Sequence, residues 1–341
     1  MIINKELDSF LRASQYVGSD FNLTQGAGGN TSFKSGNFLF IKASGYKLSD
    51  ALKKNIFVKV NCRDIIDKFN KNISEQISFE LKSNQNMKPS IETTMHAIIP
   101  HKYVFHLHCL NTLSLVIQKN FEDKLSLIFP NLNYAVVKYR MPGLSLTKEI
   151  QKILEKRKPD IFFLSNHGLV VAGNYVDDVL DKINEISNSI KTFSIKKFEH
   201  NSNALYEISK NSIYRPIKYN EAHQISFSKF QINVLCSGTL FPDQVVFLGI
   251  RILEIQNKNE LDKVLSEYKQ KIKLPIFIIP NAGIIVPNNI SSEAEELLLA
   301  ISKIISKIPM NTEINYLTKF QENEIINSND EKYRLKINNS I

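Results

Sequence analysis

The chain has 341 residues, 43% of them hydrophobic and 23% charged, a composition that excludes disorder throughout. Its formal charge of +9 comes from lysines scattered among many asparagines and isoleucines rather than gathered in blocks, so charge alone argues for no nucleic-acid partner. No apolar run approaches the roughly 18 residues of a membrane helix, residues 1–10 lack a signal-peptide core, and Cys62, Cys109 and Cys236 form neither a disulfide framework nor zinc-finger spacing.

These features lead us to expect a soluble, cytoplasmic protein with no membrane partner. At ~100–200 residues per domain, two folded units are expected. Glycine is scarce, 12 in all, so a cluster of glycines marks backbone that requires it.

Residues 4–17 carry apolar positions at helical spacing, ending at Val17. The one glycine cluster follows, Gly26-Ala27-Gly28-Gly29-Asn30, and leads into strands over 31–34 and 38–42 split by Ser35-Gly36. The polar stretch 70–88 reads as a weak strand within a loop region, and 90–99 as a short helix ended by Pro100. A strand over 104–109, a helix over 110–119, a strand over 135–139 and a helix over 146–156 come next. Strands at 161–164 and 169–172 precede an amphipathic helix over 175–193. Beyond an irregular polar stretch at 200–212, strands are expected at 245–250 and 275–279. A helix then starts with a capping box of Ser292 and Glu295.

His106-Leu107-His108 lies within the alternating run 104–109. Strand side chains alternate between faces, so both imidazoles project from one face while Phe105, Leu107 and Cys109 project from the other. Two histidines on a solvated strand face are an ordinary finding, but the pair also suits one metal ion. His167, in Asn166-His167-Gly168 at a strand end, offers a third ligand. Three histidines leave zinc an open coordination position, the mark of a catalytic site. Glu92 reads three ways: a first-turn acid favoured by the helix dipole, a fourth ligand, or a general base displaced onto substrate. His96 reads as a packed helix residue, and His200 and His223 as solvated.

The glycine cluster fits neither a Walker motif nor GxGxxG. It suits either a tight turn or backbone N–H groups converging on an anion, with Asn30 adding a side-chain donor. Lys42-Ala43-Ser44-Gly45 ends the next strand with a hydroxyl, an open amide and a nearby cation, and Ser90 offers another donor beside Glu92.

Taken in order, GAGGNTS (26–32), IKASG (41–45), PSIETTMH (89–96), VFHLH (104–108) and NHGL (166–169) resemble the class II aldolase/adducin head family over residues 7–195. Beyond it, Pro242-Asp243-Gln244 resembles the end of longer proteins related to rhamnulose-1-phosphate aldolase. Some of those are fused to a short-chain dehydrogenase, a part not expected here. The resemblance implies a three-layer α/β/α sandwich around a mainly antiparallel central sheet. A catalytic domain is expected at 1–200 and a smaller C-terminal α/β domain at 205–341.

It further implies Zn2+, or another divalent metal, held by His106, His108 and His167, with Glu92 as catalytic acid/base and possible fourth ligand. Gly29, Asn30, Ser44, Gly45 and Ser90 would bind a substrate phosphate, although Ile91 stands where members often carry a second serine. Tyr139 resembles a tyrosine that some members lend as a second catalytic acid/base. A homo-oligomer, usually a tetramer, is implied. The expected activity is that of a lyase, an aldolase cleaving a ketose phosphate reversibly through a zinc-stabilised enediolate. A sugar-phosphate epimerase or decarboxylase is the alternative on the same metal site. A non-catalytic, adducin-like interaction module is the alternative of another class, and its sign would be loss of the ligand histidines.

Overall fold

The computed structural model describes residues 2–73, 87–190, 199, 201–268 and 273–338. The chain divides into two compact units, one of Met1–Val116, Asn120–Ile190 and Ser328–Ile341, the other of Ile117–Lys119 and Lys191–Asn327. The end of the chain thus belongs to the first unit. Among the described residues no helix is long and apolar enough to cross a membrane.

The first unit opens with the helix Ile2–Ser19, which meets no glycine before Gly18 and buries Phe10, Ala13 and Val17 at three- and four-residue spacing. Seven strands follow: β1 (Asn30–Ser35), β2 (Phe38–Lys42), β3 (Phe57–Asn61), β4 (Tyr103–Leu107), β5 (Tyr134–Val137), β6 (Ile161–Leu164) and β7 (Gly168–Gly173). They form one sheet in the order β3-β2-β1-β4-β7-β6-β5, and only β5 and β6 run parallel. The mainly antiparallel central sheet expected from the sequence is present.

Both faces of this sheet are covered, and β4 shows why. Tyr103 and Phe105 meet Phe10 of the first helix, with ring centroids 6.4 and 6.1 Å apart. Val104, on the opposite face, packs in a core with Met95, Leu146 and Ile150 from the helices Thr93–Ile98 and Leu144–Leu154. Each such side chain contributes roughly 1.5–3 kcal/mol of burial. Alternation on one strand therefore builds three layers.

The helix Cys62–Asn70 and β3, which the sequence did not signal, cap and extend the β2 edge; the Asn61 side chain accepts the Asp64 N–H at 3.1 Å. The strand expected within 70–88 falls on residues 74–86, which lie outside the described residues, as does His200.

The second unit carries a smaller sheet of β8 (Tyr214–Pro216), β9 (Ile252–Glu254), β10 (Ile276–Ile279) and β11 (Gly283–Pro287), in the order β8-β11-β10-β9. Three sequence expectations are corrected here. The run 245–250 is a wide helical turn, Gln244–Leu248, buried throughout; a run apolar on every side satisfies a buried turn as well as a strand. Ser291 rather than Ser292 caps the helix Ser292–Ser306, accepting the Ala294 N–H at 3.2 Å. Glu295 is turned instead to Arg215 and Lys218. His223 is buried, not solvated, and its Nδ1 accepts the Ile284 N–H at 3.0 Å.

Candidate metal centre

His106 lies on β4, the middle strand of the seven. β4 is flanked by β1, where Asn30 stands opposite His106, and by β7, where Val170 does. Two glycines let the backbone close around it. Gly29 has φ +63°, and a Cβ there would lie 2.8 Å from the His106 carbonyl. Gly168 has φ +150°, and its Cβ would lie 2.4 Å from the Leu107 carbonyl. Any larger residue would push β1 or β7 off β4. The turn between β6 and β7 also holds Asn166 at φ +52°, a conformation Asn tolerates, and this turn presents His167.

The three histidines meet. His106 and His108 ring centroids are 5.1 Å apart, His106 and His167 4.7 Å, and His108 and His167 5.7 Å. One nitrogen from each lies within 4.8 Å of the others, and all three residues are buried. β4 ends at Leu107, so His108 stands just beyond the strand yet keeps to the His106 face. Cys109 points away, its Sγ 3.8 Å from Ser187 Oγ.

Tautomers follow from the partners. A carbonyl only accepts, so His106 Nδ1 donates to Leu169 O at 3.2 Å, which leaves Nε2 as the ring nitrogen turned toward the other two histidines. That Nε2 lies 3.2 Å from His108 Nε2. Two imidazole ligands held tetrahedrally at ~2.0–2.1 Å from zinc would stand roughly 3.3 Å apart.

Glu92 sits just before the helix Thr93–Ile98, with its N–H donating to Ser90 Oγ at 3.2 Å. Its Oε2 accepts Asn30 Nδ2 at 2.7 Å and lies 3.5 Å from His106 Nε2, while Oε1 is 3.7 Å from His167 Nε2. Oε1 is buried without a hydrogen-bond partner among the described residues. Burial works to raise the Glu92 carboxyl, but His106, His167 and the Asn30 amide outweigh it and hold the group down to about 2. Glu92 is therefore an anion. His96, one turn on, is packed as expected, with Nδ1 2.7 Å from Ser32 Oγ, and burial pushes it down to about 3, so it stays neutral. Three imidazoles and a carboxylate with an unfilled oxygen fit a divalent cation.

The remaining sequence candidates divide. Ser44, Gly45 and Ser90 lie on adjoining backbone: Ala43 bridges Pro89, the Ser44 N–H donates to Lys88 O at 2.8 Å, and the Ser90 N–H donates to Lys42 O at 3.2 Å. The Ser44 amide is thus engaged, and Gly45 carries φ +84°. The side chain of Asn30 is turned to Glu92. Tyr139 is buried just past β5, with β6 and β7 between it and β4. Gln25 went unremarked in the sequence; its Nε2 donates to the carbonyls of Phe21 at 2.6 Å and His108 at 3.3 Å, steadying the segment that leaves β4. Only its place beside the glycine cluster could have flagged it.

Residues 9–193, more than half of the chain, match the sequence model of a family described as Class II Aldolase and Adducin N-terminal domain. Among curated proteins the chain is similar to "Uncharacterized oxidoreductase YuxG" of Bacillus subtilis (strain 168), 23% identical over 237 residues, covering 65% of this chain and 33% of that one. The chain therefore spans about a third of the length of this curated relative. Among solved structures it is similar to the N-terminal class II aldolase domain of a conserved protein from Thermoplasma acidophilum, with 25% identity, a TM-score of 0.47, and coverage of 54% of this chain and 92% of that one. A sugar-phosphate aldolase from Thermotoga maritima is also similar, with 15% identity, a TM-score of 0.43, and coverage of 56% and 94%.

Proposed function

The chain belongs to the Class II Aldolase and Adducin N-terminal domain family, and from that premise we propose that its first unit is a divalent-metal-dependent aldolase acting on a ketose phosphate. The observation that carries the reading is the buried group of His106, His108 and His167 beside Glu92, whose Oε1 lacks a hydrogen-bond partner among the described residues. A buried anion short of partners is costly. A divalent cation would supply what it lacks.

In this reading the imidazoles bind as neutral donors, which leaves the ion more of its charge for the substrate than thiolate ligands would. When bound, the ion would act as a Lewis acid toward the substrate's carbonyl and hydroxyl oxygens. In the cleavage direction, a base takes the hydroxyl proton of the carbon that becomes the aldehyde, and the C–C electron pair moves toward the ketone. The carbon so exposed takes a proton: Glu92, oriented by Asn30, is assigned to take one up from solvent and deliver it there, and in the reverse direction to remove it as the anion. Tyr139 is assigned to the hydroxyl proton on the family resemblance alone, since it stands past β5 with β6 and β7 between it and β4. Gly29, Ser44, Gly45 and Ser90 are assigned to the substrate phosphate.

Metal analysis of purified protein, followed by turnover of a ketose-phosphate panel with and without chelator, tests the proposal. The expected result is a stoichiometric divalent ion and aldehyde release that chelation abolishes and metal restores. Absence of a bound divalent ion, or unchanged activity in His106→Ala, rejects it. Metal-dependent turnover that yields an epimer or carbon dioxide instead of an aldehyde would transfer the same residues to an epimerase or decarboxylase.

A further inference from the structure

Lys42 ends β2 and is 2% exposed, an expensive place for an ammonium unless its protons find acceptors. Its Nζ donates to the carbonyl of Ala27 at 2.8 Å and to that of Tyr46 at 2.7 Å. Ala27 lies inside the glycine loop, and Tyr46 directly follows the Ser44-Gly45 turn. The backbone of Lys42 reaches the remaining stretch, since its carbonyl accepts the Ser90 N–H at 3.2 Å. One residue therefore joins all three segments assigned to the substrate phosphate, and it does so with a buried cation.

We propose that Lys42 is the positioning residue of the anion site: it ties the glycine loop to the Ser44-Gly45 turn and makes the site select a phosphorylated substrate over its unphosphorylated counterpart. The inference rests on the reading of the first unit as acting on a phosphorylated sugar. The bonds of Lys42 go to protein carbonyls, so its action on phosphate passes through the loops. Charge-assisted bonds are about twice as strong as neutral ones, so a neutral donor replaces them only in part.

The experiment compares full-length, metal-bound wild type with Lys42→Met, Lys42→Gln and Lys42→Arg. Binding of inorganic phosphate is measured by calorimetry, and KM and kcat on a ketose phosphate and on the same ketose without phosphate. Metal content is measured on every variant. Lys42→Met and Lys42→Gln are expected to weaken phosphate binding and to raise KM for the phosphorylated substrate about tenfold, equivalent to ~1.4 kcal/mol. Metal content, kcat and the parameters for the unphosphorylated ketose should stay near wild type, and Lys42→Arg should restore most of the loss. Phosphate binding in Lys42→Gln equal to wild type overturns the role, as does equal loss on both substrates. Wild-type protein that binds no phosphate and shows no preference for the phosphorylated sugar overturns the underlying phosphate reading instead. Should Lys42→Met not fold, Lys42→Gln and Lys42→Arg decide the matter.

Discussion

Glu92 in the first unit and Glu295 in the second are 3% and 2% exposed, and their surroundings are opposite. Glu295 accepts two parallel bonds from Arg215, at 2.8 and 3.0 Å, and the Lys218 N–H at 2.7 Å. Glu92 has the Asn30 amide on Oε2, which also lies 3.5 Å from His106 Nε2, while Oε1 faces His167 Nε2 at 3.7 Å. A carboxylate whose bonds are filled by its own chain locks its neighbours in place. One whose bonds are left open holds capacity for something that arrives later. The histidines repeat the lesson: His223 gives its Nδ1 to a backbone N–H of β11, whereas His106 keeps Nε2 turned toward His108.

The contrast can be broken most sharply at Glu92. Glu92→Gln should lower turnover by about 10²–10⁴-fold while the unfolding midpoint in urea stays near wild type. Activity within a few-fold of wild type would show the open oxygen to be idle. Next in size, His223→Ala should cost about 2–4 kcal/mol, from a lost buried ring and an orphaned Ile284 N–H. The surviving folded protein should keep full activity per bound metal, measured by urea unfolding alongside turnover. Glu295→Gln should follow at about 1–3 kcal/mol, below the usual figure for a broken buried pair because the Arg215 side chain is 36% exposed. Equal activity losses at Glu295 and Glu92 would erase the distinction between them.

The smallest effect is one of pH. Burial works to raise the Glu295 carboxyl, but the Arg215 and Lys218 bonds prevail and hold it below its ordinary 4.5. The unfolded chain therefore binds this proton first as acid is added. Stability from Glu295 is complete above about pH 4.5 and is lost as pH falls through the folded value. The gap between wild type and Glu295→Gln in urea midpoints should accordingly narrow from pH 6 to pH 3. A gap that widens would mean the wrong partner set.

The legible part of this protein is the part governed by short-range spacing. His106 and His108 are two residues apart, and strand alternation alone puts them on one side; Asn166-His167-Gly168 combines a histidine with the two residue types that tolerate a left-handed turn. What stayed hidden depends on partners distant in sequence. Ser292 and Glu295 have capping-box spacing, yet Arg215 claims the glutamate and Ser291 takes the cap. Residues 245–250 alternate with nothing, and burial on all sides leaves no period to read. β8 and β9, three residues each, exist only because β11 and β10 pair with them. Asn30 was expected to face an anion; the β1–β4 register puts it opposite His106 and within reach of Glu92.

That register also bears on how the molecule matures. His106 and His167 come from segments far apart in the chain, and they meet only after β4 and β7 are aligned. Contacts of long sequence separation form slowly, so the unfolded chain offers an ion no nucleus to gather around. Saturating metal should therefore leave the refolding rate unchanged and act on the opposite limb, slowing unfolding. An ion captured at this place would be a late arrival that makes the finished sheet harder to undo.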